Sequence, residues 1–424
     1  MAKVLQVPSI TMGSEYVDLA SQAQIPGPYQ DTAGRGIAPP VDLKRSVLVD
    51  FLRGLCLLLM TVDHLPLTLV RKFTWQTFGF FSAAEGFVFL SGLVSGLVYG
   101  RTAITEGVGA AVRRALRRAF TLYVTNAVWV TLAILGAVAG FVTLGAGNQP
   151  SWTLWSRTLL CIASPVYSDI LRMYCIFLLL LPAVIWALLN KREAYVALIS
   201  GGLWLAASRG YGMAALPGTG YFDIMSWQLL FMAGVYLGFR RLRNRREVGA
   251  PAWATVVCVA VAATFLVLRH WHFLTGQHLP AYFEWLWSWR RTLSLGRLLD
   301  FAAFSFLVYA TRGLLSRPVR SLPGSAIAFL GQHSLQVFVW SVSAGMIVCE
   351  NESRWTLASA EAHPLLYTVL ILFSCFIPAW LHAKWQAMRR AKSGAVAAGD
   401  IAQPALGLRP RVGDGVGNLA PEYQ

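Results

Sequence analysis

One stretch early in the chain, Arg45-Ser-Val-Leu-Val-Asp50-Phe-Leu-Arg53-Gly54 followed by Asp63-His64 and Pro66, sets several ionisable residues in otherwise apolar sequence. Charges at the centre of a membrane span cost about 2.5–3.5 kcal/mol each on insertion scales, so each calls for a partner or a function. Arg53 and His64 are eleven residues apart, which puts them about 20° apart around a helix and about 16 Å apart along its axis. Asp50 is one turn from Arg53 and within reach of its guanidinium. Asp63 points about 100° away from His64, yet it can orient the ring if the helix loosens before Pro66, because proline disfavours helical geometry in the preceding residue. A second run, Phe80-Phe-Ser82-Ala-Ala-Glu85-Gly86-Phe-Val-Phe89-Leu-Ser91-Gly92, places Glu85 in the outer half of the next apolar stretch, at a depth near that of His64. A carboxylate beside an imidazole in low dielectric raises its basicity, which suits a general base that takes the proton of a hydroxyl. The expected catalytic set is therefore His64, Glu85 and Asp63. The competing reading makes Asp50–Arg53 a neutralised pair that locks a bundle and His64 an interfacial histidine. Glu85 would then bind backbone or an arginine of another span.

Other polar residues carry weaker signals. Asp169 and Arg172 open one apolar stretch, Asp223 opens another beside Trp227-Gln228, Arg297 and Asp300 fall inside a third, and His333-Ser334 inside a fourth. Taken singly, each is an interfacial anchor or a helix–helix hydrogen bond. The segment from His270 to Trp289 is rich in aromatics, as expected at a bilayer interface; the same rings would also suit stacking on a carbohydrate. No phosphate-binding glycine loop, dinucleotide fingerprint, nucleophile elbow or zinc motif is present. The six cysteines are scattered, mostly inside apolar runs, and read as small buried hydrophobes with no metal or redox role.

The elements that must position these residues follow from composition. Of 424 residues, 56% are hydrophobic and 13% charged, against about 25% charged in soluble domains. The apolar residues come in long blocks, which excludes a single soluble core and excludes disorder. The expected fold is all-α, a polytopic membrane helix bundle of about ten spans at 46–67, 77–99, 119–143, 171–189, 194–208, 223–239, 251–269, 293–311, 326–349 and 365–383. A stretch around 152–169 reads as external or re-entrant. The net charge of +16 would suggest nucleic acid in a soluble protein. Here the basic residues concentrate in alternate connections (101–118, 191–192, 240–246, 312–320), the signature of cytoplasmic loops, so both termini are expected in the cytoplasm and no nucleic acid is expected as a partner. Residues 1–45 read as a flexible tail without a signal peptide, 46–383 as the membrane domain, and 384–424 as a basic segment and an unstructured tail. No internal repeat of the kind found in inverted-repeat transporters is apparent.

The Arg-x4-Asp-x2-Arg-Gly-x8-Asp-His-Leu-Pro run of the first span resembles the OpgC family. So do residues 79–92, Ser168-Asp-Ile-Leu-Arg-Met-Tyr174 with its leucine-rich tail, Trp227-Gln-Leu-Leu-Phe, and Gly331-Gln-His-Ser-Leu-Gln-Val-Phe. The resemblance runs from about Arg45 to the tenth span. Two positions depart from it: Arg172 stands where a proline is expected, and Asp300 where His or Asn is expected.

This resemblance implies a protein of the bacterial inner membrane linked to succinylation of periplasmic glucans and related to membrane acyltransferases that O-acylate carbohydrates. It matches Arg53 and His64 to the first-span Arg and His of that wider group. It implies an acyl-CoA-dependent O-acyltransferase with succinyl-CoA the first candidate co-substrate, a periplasmic glucan as acceptor, the lipid bilayer as surroundings, and no bound cofactor or metal. Arg53, Asp50, Arg45, Asp169, Arg172 and Trp227 would hold donor or acceptor, with basic clusters attracting the CoA phosphates. Acetyl transfer to another envelope polysaccharide is the alternative within the class, and a proton-coupled transporter or flippase using the same ionisable line is the alternative outside it.

Overall fold

The computed structural model describes residues 45–401 except 66–69, 71–73, 75, 77, 143, 145–148, 164–168, 213–221, 245–248, 281–282, 284–290 and 351–363. Both expected tails beyond these limits, Pro66, and Trp285, Trp287 and Trp289 of the aromatic segment lie outside the described residues. Among those described, the chain is helical and contains no strand. We number the helices α1 Val47–Asp63, α2 Ala83–Thr105, α3 Val108–Val138, α4 Trp152–Leu159, α5 Asp169–Leu189, α6 Glu193–Ala206, α7 Ile224–Arg243, α8 Ala252–Arg269, α9 Trp271–Thr275, α10 Leu295–Ala310, α11 Arg312–Arg320, α12 Leu322–Gln332, α13 Ser334–Glu350, α14 Pro364–Ser374 and α15 Phe376–Ile401.

Each of the ten apolar segments contains helix, but five stretches are long and apolar enough to cross a membrane by length and composition: α2, α3, α5, α8 and residues 368–391. A sixth is added if α10 and α11, bent by 73°, count as one span. Several limits differ from expectation. The second segment becomes helical only at Ala83, because Ser82 and Glu85 form a capping box that starts α2 there. The ninth segment breaks at His333 and the tenth at Cys375. The stretch from Ser393, expected to be unstructured, continues α15 to Ile401; its alanines are strong helix formers. The 152–169 stretch begins with the eight-residue α4, capped by Ser151, whose hydroxyl accepts from Leu154 N at 3.1 Å.

Two glycine seams bring helices close enough to fix the geometry of the interior. On α2, a Cβ at Gly92 or Gly96 would overlap the carbonyl oxygens of Phe231 and Val235 on α7; reciprocally, one at Gly234 or Gly238 would overlap those of Phe89 and Leu93. The seam between α1 and α12 works the same way, with Gly54 against the Ile327 carbonyl and Gly331 against that of Asp50. In lipid, where apolar surface drives no association, such backbone approach supplies the packing. The core between these seams is aromatic: the Phe177 and Phe231 rings lie 5.1 Å apart, and Phe87 meets Tyr174 edge-on at 5.9 Å. By contrast, α8 buries no residue and packs chiefly on α10.

Gly331→Leu should therefore cost at least the 1–3 kcal/mol typical of overpacking. It would show as a lower unfolding temperature in detergent and less protein in the membrane. Gly202→Ala in α6, where nothing lies within 4 Å of the added carbon, should leave both near wild type.

Candidate active site

The N-terminal turn of α1 is capped by Ser46, whose hydroxyl accepts from Val49 N at 3.4 Å. This start sets which residues of α1 face inward. Asp50 is 4% exposed and takes a two-point ion pair from Arg45, with Nε at 2.5 Å and Nη2 at 3.1 Å. The expected Asp50–Arg53 pair gives way to this one: Arg45 precedes the helix and can fold back onto the carboxylate, which leaves Arg53 for the interior. There Arg53 Nη2 donates to Ser334 Oγ at 2.6 Å, and its guanidinium lies over the Phe87 ring at 5.9 Å. Its buried Nε has no hydrogen-bond partner among the described residues.

Arg53 borders a cavity of about 220 Å³ walled by α1, α2, α3, α5, α7, α12 and α13. Ser91, Ser95, Tyr174, Gln332 and Ser334 give it polar points, while Phe87, Leu122, Ile170 and Phe338 supply apolar wall. Tyr99 and Arg118 line it near the basic end of α3. The Tyr174 hydroxyl donates to the Phe87 carbonyl at 3.1 Å, tying α5 to α2 across the space. A narrow chamber of this kind, apolar along its sides with a guanidinium inside, suits an extended chain that carries carbonyl acceptors along its length.

The other end of α1 carries Asp63 and His64. His64 ends the helix with φ −87° and ψ −11°. Its Cβ would lie 3.2 Å from a Cβ added at Gly345 of α13. Arg53 thus meets Ser334 and His64 meets Gly345, eleven residues further along both helices. The shared step shows α1 and α13 running parallel with one face of α1 against α13, as the spacing of Arg53 and His64 predicts. Asp63 is buried and accepts from Thr74 Oγ1 at 3.0 Å. Gly345 is small where the imidazole needs room. Gly345→Leu should push the ring out of place, and a misplacement near 1 Å can cost about 10²-fold in rate, measurable as product per unit of membrane-inserted protein.

Glu85 takes a different place from the one expected. A Cβ added at Gly86 would lie 3.0 Å from Cys56 Sγ, so Glu85 enters beside Cys56, about 12 Å down α1 from His64. Its Oε2 accepts from Ser82 N at 3.0 Å and Ser82 Oγ at 2.5 Å, while Oε1 pairs with Arg297 Nη2 of α10. Both side chains are 1% exposed. A buried carboxylate joined to a guanidinium in this way anchors helices, and its charge is already balanced. One turn along α10, Asp300 is fully buried and accepts from Phe80 N at 2.6 Å, holding the 79–82 turn that feeds α2. The departure from the family pattern at Asp300 therefore has a local structural partner.

Three further expected residues lie away from the Arg53 cavity wall. Trp227 is fully buried, packs edge-on against Phe222 at 4.5 Å and donates to the Arg291 carbonyl at 3.2 Å. Arg172 is 2% exposed and donates to the Ile162 carbonyl at 3.0 Å, tying α5 to the segment after α4. Asp169 is buried in the first turn of α5. Ser334, one of the weaker polar signals of the sequence, lines the cavity, and the lining residues that spacing alone did not single out include Tyr99, Arg118, Tyr174 and Gln332, the last in the Gly331-Gln-His-Ser run. His333, at the helix break, has its Nδ1 2.9 Å from that of His382 on α15. No group of three or more metal-ligating side chains occurs among the described residues.

The bundle holds a buried guanidinium in a narrow chamber and an imidazole further along the same helix face, and it is the family match that places it among membrane proteins of the acyltransferase type. The family described as OpgC protein matches residues 45–390, and the chain belongs to that family. No curated protein and no solved structure matches the chain.

Proposed function

We propose that this protein is a multi-pass O-acyltransferase of the bacterial inner membrane, with ten spans and both termini in the cytoplasm, that moves a succinyl group from succinyl-CoA to hydroxyls of a periplasmic glucan. The observation that carries this reading is the Arg53 cavity, with its unfilled buried Nε, on the helix face that also bears His64. The basic stretch from Arg113 to Arg118 attracts the CoA phosphates, and the thioester arm enters past Arg118 and Tyr99. Arg53 guides the pantetheine arm through a charge-assisted hydrogen bond to one of its amide carbonyls, and the thioester reaches on toward His64. At the far end, His64 takes the proton of a glucan hydroxyl and the oxygen attacks the thioester carbonyl. The C–S bond then breaks, and the thiolate leaves and is protonated. Asp63, held by Thr74, steadies His64. Glu85 acts at one remove, as the buried anchor of α2 to α10.

Mass spectrometry of periplasmic glucans from cells with and without the gene tests this directly. Loss of the succinyl mass increment supports the proposal, loss of an acetyl increment replaces the acyl group, and identical spectra sink it. At the level of the residue, Arg53→Ala should raise KM for the acyl donor at least tenfold, since a hydrogen bond to a charged group contributes about 1.5–3 kcal/mol. Arg53→Lys keeps the charge without the fork and should fall between. Kinetics in inverted membrane vesicles would separate KM from kcat.

A further inference from the structure

We propose that the basic end of the α6–α7 pair is a binding site for the phosphodiester headgroup of an anionic phospholipid. A cavity of about 430 Å³ lies there, lined by Glu193 of α6 and by Tyr236, Phe239, Arg240, Arg243 and Asn244 at the end of α7. Positions 236, 239, 240 and 243 follow the i, i+3, i+4, i+7 pattern, so the two arginines share one face of α7 with the aromatic pair. The cavity holds two guanidiniums and one carboxylate. Arg243 Nη1 is 3.2 Å from Glu193 Oε1, in a pair more than a third exposed on each side. Arg240 forms no ion pair with a described residue, so one positive charge is in excess. Lys191 and Arg192, immediately before Glu193, add to the positive field.

The surroundings favour a lipid over a soluble anion. Just beyond the cavity, α6 turns Tyr195, Leu198 and Ile199 outward, each more than 60% exposed. A headgroup seated among the arginines would lay its acyl chains on that apolar face. The Arg53 cavity shares no lining residue with this one. The end of α2 lies between them: a Cβ at Gly100 would meet the Phe239 ring and Leu242, while Tyr99 lines the Arg53 cavity. The site is thus separate from the chamber assigned to the acyl donor and does not depend on that assignment. Guanidinium forks match phosphate oxygens in paired N–H contacts, and Tyr236 and Asn244 add polar groups for the glycerol end. Basic pockets between membrane helices recognise anionic headgroups in this way.

Native mass spectrometry of the full-length protein in neutral detergent, titrated with phosphatidylglycerol or phosphatidylcholine, tests the site. The expected result is retained phosphatidylglycerol that zwitterionic lipid does not match, weakened about 30-fold in Arg240→Gln/Arg243→Gln, from about 1 kcal/mol per basic residue. Arg113→Gln/Arg117→Gln, which removes two exposed charges elsewhere, should retain it as wild type does. The single Arg240→Ala change at an exposed position guards against a folding defect and should weaken retention by itself. Equal retention of the two lipids, or unchanged retention in both Arg240 variants, overturns the proposal and leaves these arginines as C-terminal charge partners of α7. Displacement by millimolar inorganic phosphate or CoA would also overturn it, by assigning the cavity to a soluble phosphate.

Discussion

His64→Ala should reduce acyl transfer by 10²–10⁴-fold, the usual loss when a general base is removed, with membrane levels of the protein close to wild type. The imidazole ends α1 and is only partly buried. Its removal therefore leaves the α1–α12 glycine seam and the Arg53–Ser334 hydrogen bond intact. The measurement is acyl content per glucan at matched amounts of inserted protein. Near-wild-type acylation would move the base elsewhere, with the His333–His382 pair the next candidate. A large activity loss accompanied by loss of the protein from the membrane would assign His64 to packing.

The second large effect concerns stability. Arg297→Met leaves the Glu85 carboxylate buried without its counter-ion, and breaking such a pair costs about 3–5 kcal/mol. Glu85→Gln keeps an acceptor for the Ser82 cap while removing the charge, so it leaves Arg297 as the uncompensated partner. The double variant Glu85→Gln/Arg297→Met should recover part of the loss, because the carboxylate and its guanidinium partner are removed together, while buried Asp300 one turn along α10 still loses its neighbouring cation. Thermal unfolding of the four proteins in one detergent gives the coupling energy directly. Additive losses would show that the two side chains do not act as a pair. On this geometry the residual activity of Glu85→Gln keeps the wild-type pH optimum, whereas a Glu85 that orients His64 would shift the optimum downward.

Helical periodicity and the cost of charge in lipid were enough to read the class of fold and the line of α1. Eleven residues between Arg53 and His64 place both on one face of any straight helix, and their matched contacts at Ser334 and Gly345 follow that arithmetic. The charge-poor blocks foretold helix in each apolar segment, because a backbone in lipid must satisfy its own hydrogen bonds. Ser82 with Glu85 spells a capping box that local spacing could have revealed, and a residue as small as Gly92 permits the close approach that the fold uses there.

Partners were a different matter. Glu85 and Arg297 are 212 positions apart, and nothing in either span's periodicity says which neighbour turns its charge toward the other. Asp50 had two arginines within local reach, and the choice of Arg45 depended on Arg53 being drawn to Ser334 of a helix 281 positions away. Trp227 reads equally well as a binding ring or a core ring until Phe222 and the Arg291 carbonyl close around it. A helix's own sequence determines the rotation and depth of each side chain, whereas the identity of what stands opposite depends on how helices order around the bundle. That ordering is settled by backbone approach at Gly54, Gly331, Gly92 and Gly234 and by which buried charges find their opposites, interactions that exist only once distant segments have packed.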